Sequence, residues 1–534
     1  MGNLTEAAGW TDVCALDDIV DGRGQPVVIK GTEVALMRDG RQVFGLSNLC
    51  PHRGGQIGDG TVADGRAICP LHAWDFDLRT GISPFNPEDT IETYEVRVRA
   101  GRVEVNADSV PRGPGRPDVY LGQWTRRGAT DRGMYTVHHL SDGLGPFVDA
   151  MGSERFEPAN DHGRRYASLD DIVFLPAQVH RAPLLDDEHV DTSVRLGTRA
   201  ARPLAIDIPL LVSHMSFGAL SREAKVSLAA GARDAGTAIC SGEGGMHPDE
   251  RAAAGSYVLE MASGYFGWTE SAIGQADAVE IKMGQGAKPG LGGLLPGAKV
   301  TPEIAAVRGT PAGEDAHSPS RFPDIDSVEG LAARIRWIRS VNPQIPVGVK
   351  YAAGDVEADT AAALEAGADY LILDGLGGGT GAAPVHVKDH VGIPSVFALY
   401  RARTWLDSHG VDDVQLVSTG GYREPVDTAK GLALGADAIA LATSALMSIG
   451  CQQYRACHTG TCPVGIATQE ERLRSRLQPE DAAGRLTTFL TASTEVIVDF
   501  CRLTGHRTVG SLSPADLATL RPEIAERTTL PYVL

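Results

Sequence analysis

The sequence predicts an α/β protein in which a (β/α)8 TIM barrel follows a small antiparallel β domain. From about residue 204 onward, continuous apolar runs alternate with helical stretches, as expected of repeated βα units on a parallel sheet. Between residues 27 and 105, short β-rich runs are instead separated by Gly and Asp turns. We therefore predict a β domain over 1–108, a connector over 109–165, the barrel over 166–475 and a helical tail over 476–534.

Two cysteine–histidine pairs lie in the β domain. Cys50 and His52 form a C-x-H pair, and Cys69 and His72 form a C-x2-H pair sixteen residues further on. A structural zinc site remains open from this composition, although a zinc finger places its second pair of ligands on a helix as H-x3–5-H. One Cys–His pair per loop suits a [2Fe–2S] centre in which thiolates hold one iron and imidazoles hold the other.

These pairs, together with the stretch 69–81, resemble the Rieske ferredoxin family over roughly residues 10–107. Some members carry an extra disulfide between the two loops, but Gly54 and Leu71 stand at those positions here, which implies the lower-potential type. An oxygenase would add a mononuclear iron on two histidines and a carboxylate, and no such spaced triad is evident after residue 110. The resemblance implies a Rieske [2Fe–2S] cluster on Cys50, His52, Cys69 and His72.

A Pro- and Gly-rich stretch over residues 108–117 is typical of a linker, and the barrel prediction begins beyond it. Helical patterns separate its apolar runs, and about 260 residues suit a (β/α)8 barrel. A doubly wound sheet is the alternative, but no G-x-G-x-x-G with a later acidic residue supports a Rossmann site. The predicted strands lie at 209–213, 279–283, 346–350, 370–374, 414–418 and 438–442, and the predicted helices at 221–236, 328–341, 356–368 and 425–435.

The C-terminal ends of barrel strands form the catalytic face, and glycines gather there. Gly420 and Gly421 follow one predicted strand, and Ala442 and Thr443 follow the next, where late βα loops cradle phosphate through backbone N–H groups. The stretch 377–381, which contains Gly378, Gly379 and Thr380, lets the backbone approach a flat cofactor closely. Each feature alone is equally typical of an ordinary turn.

Five motifs occur in one order and resemble the FMN-binding synthase domain of glutamate synthase over roughly residues 165–475. They lie at 215–221, 242–245, 281–290, 377–384 and 457–469. The resemblance implies FMN contacts from Met215, Ser216, Gly218, Lys282 and Lys350 in addition to the glycine loops. It also implies a [3Fe–4S] cluster on Cys451, Cys457 and Cys462, for which spacing alone leaves open a zinc site completed by His458.

The same resemblance implies that reduced FMN delivers hydride to the imine formed from 2-oxoglutarate and ammonia. Lys288 and Arg308 would hold the substrate carboxylates, Lys282 and Lys350 would flank flavin and substrate, and Glu243 is a candidate proton-transfer group. Lys282 and Lys350 are each predicted to end a strand, so their ammonium groups are expected to point into the barrel mouth.

Three departures from the family pattern concern the substrate. Leu294 stands where the family has a substrate-contacting Gln, Leu291 replaces a Glu, and residues 320–323 replace a Pro-Pro-His-His sequence. No glutaminase domain precedes the barrel, so ammonia, an amine or a separate subunit would supply nitrogen. Redox or amine-transfer chemistry on another amino-acid-derived substrate, and a pure electron-transfer module, are the alternatives.

Composition limits the partners. The formal net charge of −19 argues against a nucleic-acid partner, and no run reaches the roughly 18 apolar residues of a membrane span. No secretory signal is visible at the start, and five of the eight cysteines fall in metal-type spacings, so a reducing cytoplasm is expected. We expect a small-molecule substrate, an external electron donor or reductase, no nucleic acid, no membrane, and a possible homo-oligomer.

Overall fold

The computed structural model describes residues 9–51, 55–70, 74–84, 90–111, 133–141, 143, 167–381, 383–388, 390–453 and 457–533. The chain divides into two compact units. The first comprises residues 1–126, 462–465 and 470–478, and the second comprises 127–461, 466–469 and 479–534. The predicted domain boundaries remain predictions, but residues 470–478 group with the N-terminal unit rather than with the barrel.

The first unit contains three antiparallel sheets, with strand orders β2-β3-β4-β8, β1-β10-β9 and β5-β6-β7. Strand β3 separates two apolar cores, because Val34 and Leu36 face one cluster while Ala35 and Met37 face the other. The strands are β1 (Trp10–Ala15), β2 (Gly24–Ile29), β3 (Thr32–Asp39), β4 (Gln42–Ser47), β5 (Thr61–Ala63), β6 (Arg66–Ile68), β7 (Asp75–Asp77), β8 (Thr93–Tyr94), β9 (Val96–Arg99) and β10 (Arg102–Asn106). The predicted small antiparallel β domain is confirmed.

The second unit contains a closed barrel with the strand order β14-β15-β16-β17-β20-β21-β22-β23, in which all neighbours are parallel. This confirms the (β/α)8 prediction and excludes the doubly wound sheet. The strands are β14 (Leu210–Val212), β15 (Ala238–Cys240), β16 (Ser256–Met261), β17 (Ala278–Lys282), β20 (Val347–Ala352), β21 (Tyr370–Asp374), β22 (Gln415–Thr419) and β23 (Ala438–Leu441).

Three two-stranded ladders accompany the barrel, pairing β11 with β24, β12 with β13, and β18 with β19. The first of them joins the start of the region predicted as barrel to the C-terminal tail. These strands are β11 (Ile172–Phe174), β12 (Val194–Leu196), β13 (Leu204–Ile206), β18 (Gly293–Leu295), β19 (Ala316–Ser318) and β24 (Leu517–Thr519).

Helices cover the barrel, and the longest of those described is the 26-residue α13. Its apolar face, with Leu486, Leu490 and Ile497 buried, packs against α2. No helix among the described residues is long and apolar enough to cross a bilayer. The helices are α1 (Met134–Ser141), α2 (Arg222–Asp234), α3 (Pro248–Ala253), α4 (Glu270–Gln275), α5 (Pro302–Arg308), α6 (Val328–Val341), α7 (Val356–Glu365), α8 (Val385–Lys388), α9 (Ser395–Ser408), α10 (Pro425–Ala433), α11 (Thr443–Ser448), α12 (Glu471–Arg474), α13 (Pro479–Thr504) and α14 (Pro522–Ala525).

Candidate functional site

The barrel carries charged side chains where barrels of this kind usually pack Val, Ile and Leu in layers. Glu260 of β16 and Glu280 of β17 are register partners, as are Lys282 of β17 and Lys350 of β20. Lys282 ends its strand as predicted, whereas Lys350 lies two residues before the end of β20. Because buried charges are costly unless they are paired, each of these side chains needs a partner of opposite charge nearby.

Lys282 is the centre of this charge cluster. Its Nζ lies 3.0 Å from Oε2 of Glu243 and 3.6 Å from Oε1 of Glu260. Burial opposes the charged form of Lys282, yet the carboxylates of Glu260 and Glu243 raise its pKa overall. Burial likewise opposes ionisation of Glu243, but Lys282, Lys288 and Arg308 hold its pKa at about 2. Glu243 is therefore a carboxylate at neutral pH.

Lys288 and Arg308 approach the same carboxylate. A Cβ placed on Gly293 would lie 2.6 Å from Oε1 of Glu243 and 3.2 Å from Nζ of Lys288, so a side chain there would displace these charged groups. Arg308 closes α5, is 3% exposed, and donates from Nη2 to the carbonyl of Phe217 at 2.8 Å. Burial lowers the pKa of both cations. The four groups predicted to handle substrate, Glu243, Lys282, Lys288 and Arg308, thus form one electrostatic cluster.

Leu294 does not face this cluster. It alternates with Gly293 and Leu295 along β18, and Leu295 packs into a buried cluster with Phe217 and Phe266. The side chain of Leu294 is 54% exposed on the other face of the ladder, beside its cross-strand partner His317. Phe322, in contrast, is buried against Tyr265 and Trp268.

A cavity opens at the C-terminal ends of the late strands. Lys350 sits in its wall with Nζ 3.6 Å from Oδ2 of Asp374. Thr380, predicted as a cofactor contact, follows the lining glycines but does not itself line the cavity. The lining residues are Ser213, His214, Lys282, Gln285, Lys350, Asp374, Gly378, Gly379, Thr419, Gly420, Gly421, Tyr422, Arg423, Ala440, Ala442 and Thr443.

The glycines of this cavity bring two loops into backbone contact. Gly420 has φ +106°, and a Cβ there would lie 2.4 Å from the carbonyl oxygen of Gly375. A Cβ on Gly377, in the other loop, would lie 3.3 Å from Cα of Gly421. Side chains at Gly420 or Gly377 would therefore push the loops apart, and their absence leaves a backbone-lined cradle of the kind that holds a phosphate.

A buried lysine, Lys225, holds the loop that contains Met215, Ser216 and Gly218. Nζ of Lys225 donates to the carbonyls of Met215 at 2.5 Å and Ser241 at 3.0 Å, and lies 2.8 Å from Oε1 of Glu250. Ser216 also accepts from Arg308 at 3.3 Å. These three residues do not line the cavity, and their predicted contacts with cofactor remain predictions.

The sequence did not single out His214, Glu280 or Tyr370. Nε2 of His214 hydrogen-bonds directly to Oε2 of Glu280, whose Oε1 accepts from the hydroxyl of Tyr370 at 2.9 Å. The signal that could have found them is a glutamate inside a predicted strand, the Val-Glu-Ile-Lys run at 279–282. A charged residue in a buried parallel strand needs a partner from a neighbouring strand.

The predicted cysteine ligands of the first unit are buried in one core. Cys50 and Cys69 are 0% and 2% exposed and belong to the same apolar cluster. The amide of Cys69 donates to the carbonyl of Trp74 at 2.8 Å. Their predicted partners His52 and His72 lie outside the described residues.

Cys451 and Cys457 belong to the second unit, and Cys462 belongs to the first. The sulfur of Cys451 accepts from the amide of Gln453 at 3.5 Å and from its side-chain Nε2 at 3.7 Å. Nζ of Lys299 donates to the carbonyl of Cys457 at 2.8 Å. The N–H···S contacts of Cys451 suit a thiolate that carries negative charge.

Comparisons with known proteins agree on the family. Residues 159–507 match the family described as the conserved region in glutamate synthase, and residues 9–106 match a Rieske-like [2Fe-2S] domain. The archaeal-type glutamate synthase [NADPH] of Thermotoga maritima is 42% identical over 329 residues, 61% of this chain and 65% of that protein. The glutamate synthase large subunit-like protein of Rhizobium meliloti is 38% identical over 388 residues, 69% of this chain and 88% of that protein.

The match therefore spans just under two thirds of the length of the Thermotoga maritima relative. A solved structure of an active mutant of (S)-mandelate dehydrogenase aligns with a TM-score of 0.45 at 15% identity, over 72% of this chain and 99% of that one.

Proposed function

The chain belongs to the glutamate synthase family and carries an N-terminal Rieske-like domain, and from this premise we propose that it is an iron–sulfur flavoprotein oxidoreductase. A Rieske [2Fe–2S] cluster and a [3Fe–4S] cluster would supply the path by which electrons from an external donor reach FMN. The reaction is reductive amination: a 2-oxo acid, ammonia, two electrons and two protons give an amino acid and water. The observation that carries the proposal is the Glu243–Lys282–Lys288–Arg308 cluster adjoining a glycine-lined cavity.

The residues present fit FMN. The cradle of Gly420 and Gly421 has no Cβ atoms where a phosphate would bind, and Lys282 and Lys350 offer cations to the electron-rich edge of a flavin. When bound, FMN would supply the two-electron chemistry that no side chain can provide. Asp374 holds the Lys350 ammonium in the cavity wall.

The cation cluster fits a 2-oxo acid. Lys288 and Arg308 would bind its carboxylates through charge-assisted hydrogen bonds, and the fixed guanidinium of Arg308 favours one orientation. Glu243 stays ionised through its contact with Lys282 and can accept a hydrogen bond from an incoming ammonium and so orient it, whereas a pKa of about 2 makes it a weak proton acceptor. These groups bind and orient the reactants, and none of them supplies electrons.

The thiolates fit iron–sulfur chemistry. Cys50 and Cys69 sit in an apolar core that would exclude water from a cluster, and Cys451 receives N–H donors at its sulfur. Three cysteines rather than four suit a [3Fe–4S] cluster, and Cys462 would be the third ligand.

A steady-state assay tests the proposal. Anaerobically purified protein that retains flavin is supplied with reductant, 2-oxoglutarate and ammonium, and glutamate is measured by amino-acid analysis. Glutamate formed in proportion to electrons consumed supports the proposal. A reducible flavin that no 2-oxo acid reoxidises in the presence of ammonium contradicts it and favours an electron-transfer module.

A second candidate is redox or amine-transfer chemistry on another amino-acid-derived substrate. The observation in its favour is Leu291, which is 44% exposed three residues after Lys288 and replaces a glutamate of the family pattern. The same assay separates the two, because reoxidation by an apolar 2-oxo acid, or only with an alkylamine in place of ammonium, identifies the second.

A further inference from the structure

A chain of hydrogen bonds crosses the barrel interior and ends in the cavity assigned to FMN. The hydroxyl of Tyr370 donates to Oε1 of Glu280 at 2.9 Å, and Oε2 of Glu280 contacts Nε2 of His214 directly. Nδ1 of His214 lies 3.2 Å from Oγ of Ser213. Ser213 and His214 both line the cavity, whereas Tyr370 is fully buried.

Other charged groups face this imidazole from neighbouring strands. Oε2 of Glu260 lies 3.7 Å from Nε2 of His214, and both carboxylate oxygens of Glu260 lack a hydrogen-bond partner among the described residues. The ammonium groups of Lys282 and Lys350 lie in the same cavity wall. His214 is thus a buried imidazole that faces two carboxylates and shares the cavity wall with two ammonium groups.

The cluster could also be considered as a metal site, because the ligand atoms of His214, Cys240 and Glu280 all lie within 4.8 Å of one another. Two observations argue against it. The imidazole contacts the Glu280 carboxylate directly, which leaves no space for an ion between them. Burial and the nearby Glu280 and Glu260 also raise the pKa of the Cys240 thiol well above its usual range, so binding an ion there would also have to drive its deprotonation.

The hydrogen-bond partners assign the two imidazole nitrogens. Nε2 faces only carboxylate oxygens, which accept, so it must carry a proton. Nδ1 faces the hydroxyl of Ser213, which can donate to a bare nitrogen or accept from a protonated one by rotating its hydrogen. Nδ1 is therefore the position at which His214 can gain or lose a proton without losing a partner.

We propose that the His214–Glu280 pair is a proton store for the flavin cavity, which takes up one proton at Nδ1 of His214 when two electrons enter the cavity. Two electrons accompanied by one proton leave one extra negative charge, and a nearby base responds by binding a proton. The reductant supplies both electrons, and solvent supplies both protons. Glu280 holds the Nε2 proton throughout, and Ser213 reverses its hydrogen bond.

The proposal rests on the FMN part of the proposed function but not on its substrate. It therefore predicts how the midpoint potential of the bound flavin depends on pH, a property that can be measured without turnover. For a two-electron couple, each proton taken up on reduction lowers the midpoint potential by about 30 mV per pH unit. Wild-type protein is expected to take up two protons for every two electrons.

The experiment measures the flavin midpoint potential from its visible absorbance between about pH 6 and 9, without substrate, in wild type, H214N, E280Q and H247N. The control His247 is also buried and also contacts a glutamate, Glu303 at 3.1 Å, but does not line the cavity. In H214N, the decrease of the midpoint potential with pH is expected to be smaller by about 30 mV per pH unit. This is the effect of one proton on a two-electron couple when the proton concentration changes tenfold. H247N is expected to keep the wild-type slope.

Proton uptake measured with an indicator dye during reduction gives a second readout, expected to fall from two protons to one in H214N and towards one in E280Q. Equal slopes and equal uptake in wild type, H214N and E280Q overturn the proposal. A tightly bound non-iron metal that is lost in both variants also overturns it. If H214N does not retain FMN, the comparison of E280Q with wild type decides. Wild-type protein that never binds FMN would contradict the proposed function itself. Failure to make glutamate does not affect this test, because the test uses no substrate.

Discussion

At the residue scale, Glu250 illustrates how a buried carboxylate behind the site couples ionisation to folding. It is fully buried against Lys225, and burial raises its pKa to about 7 from the ordinary 4.5, with Lys225 opposing the rise. The folded state thus favours the protonated form, so this group's contribution to the free energy of unfolding is fully present below about pH 4.5. It is expected to fall by roughly 3 kcal/mol as pH rises through about 7.

Urea unfolding of wild type and E250Q across this interval checks the prediction, because the difference between the two curves isolates Glu250. E250Q is expected to lose the fall in stability between about pH 4.5 and 7. Parallel curves would contradict it. The exposed pair of Arg222 with Asp249, on the same two helices, provides the control, since R222A is expected to change stability by at most about 1 kcal/mol.

Arg308 gives a second prediction at this scale, on substrate binding. Its Nη2 is already held by the Phe217 carbonyl and Ser216, and its Cζ lies 5.1 Å from the ring centroid of Phe266. R308K keeps the charge but removes the fork and the stacking, so the dissociation constant of the 2-oxo acid is expected to rise about 10- to 100-fold.

That constant is measured from the change in flavin absorbance on titration with 2-oxoglutarate. R334K serves as the control, because Arg334 also stacks on aromatic rings, including Trp268 at 5.2 Å, but ion-pairs with Asp324 outside the charge cluster. An unchanged constant in R308K would remove Arg308 from substrate binding.

Site residues could be predicted from the sequence where a motif contained them, but not where only the folded barrel brings them together. Lys282, Lys288 and Glu243 came from linear motifs and Arg308 from the family resemblance, and the structure gathers all four into one cluster. His214 and Tyr370 are 156 positions apart in the chain, and only the strand order of the closed barrel places both against Glu280.

At the scale of elements, the glycine cradle depends on backbone conformation, which can be tested with a matched pair of glycines. Gly420 has φ +106° and no room for a Cβ, whereas Gly410, after α9, has φ +67° and open space around it. G420A is expected to weaken FMN binding at least tenfold because it separates the two loops. G410A adds only backbone strain of about 1 kcal/mol and is expected to bind FMN as wild type does.

Flavin retention on dilution, followed by fluorescence, measures both variants. Equal retention by G420A and wild type would place the phosphate elsewhere.

The elements themselves were predicted unevenly. Six barrel strands and four helices were located from apolar runs, and α6 matched to the residue. The strands β15 and β16 were missed. β14 is as short as β15 but is preceded by Ile208 and Pro209, whereas the polar Thr237 and Ser241 flank the three apolar residues of β15 and leave too short an apolar run. β16 carries Glu260 in its interior, but β17 carries Glu280 and was located, so the glutamate alone does not explain why β16 was missed.

At the scale of the whole molecule, the proposal requires two kinds of iron–sulfur cluster in one chain, and cysteine variants should remove one without the other. C457S is expected to abolish the EPR signal of an oxidised [3Fe–4S] cluster while the Rieske signal on reduction persists, because Cys50 and Cys69 lie in a separate core. C69S is expected to do the reverse. Iron content should fall by about three atoms in the first variant and two in the second.

Cys501, buried in α13 with its thiol pKa raised by burial to about 12, supplies the control, and C501S should retain both signals. Retention of both signals in C457S would remove that residue from the ligands, and zinc in place of iron in the purified wild type would refute the electron path altogether.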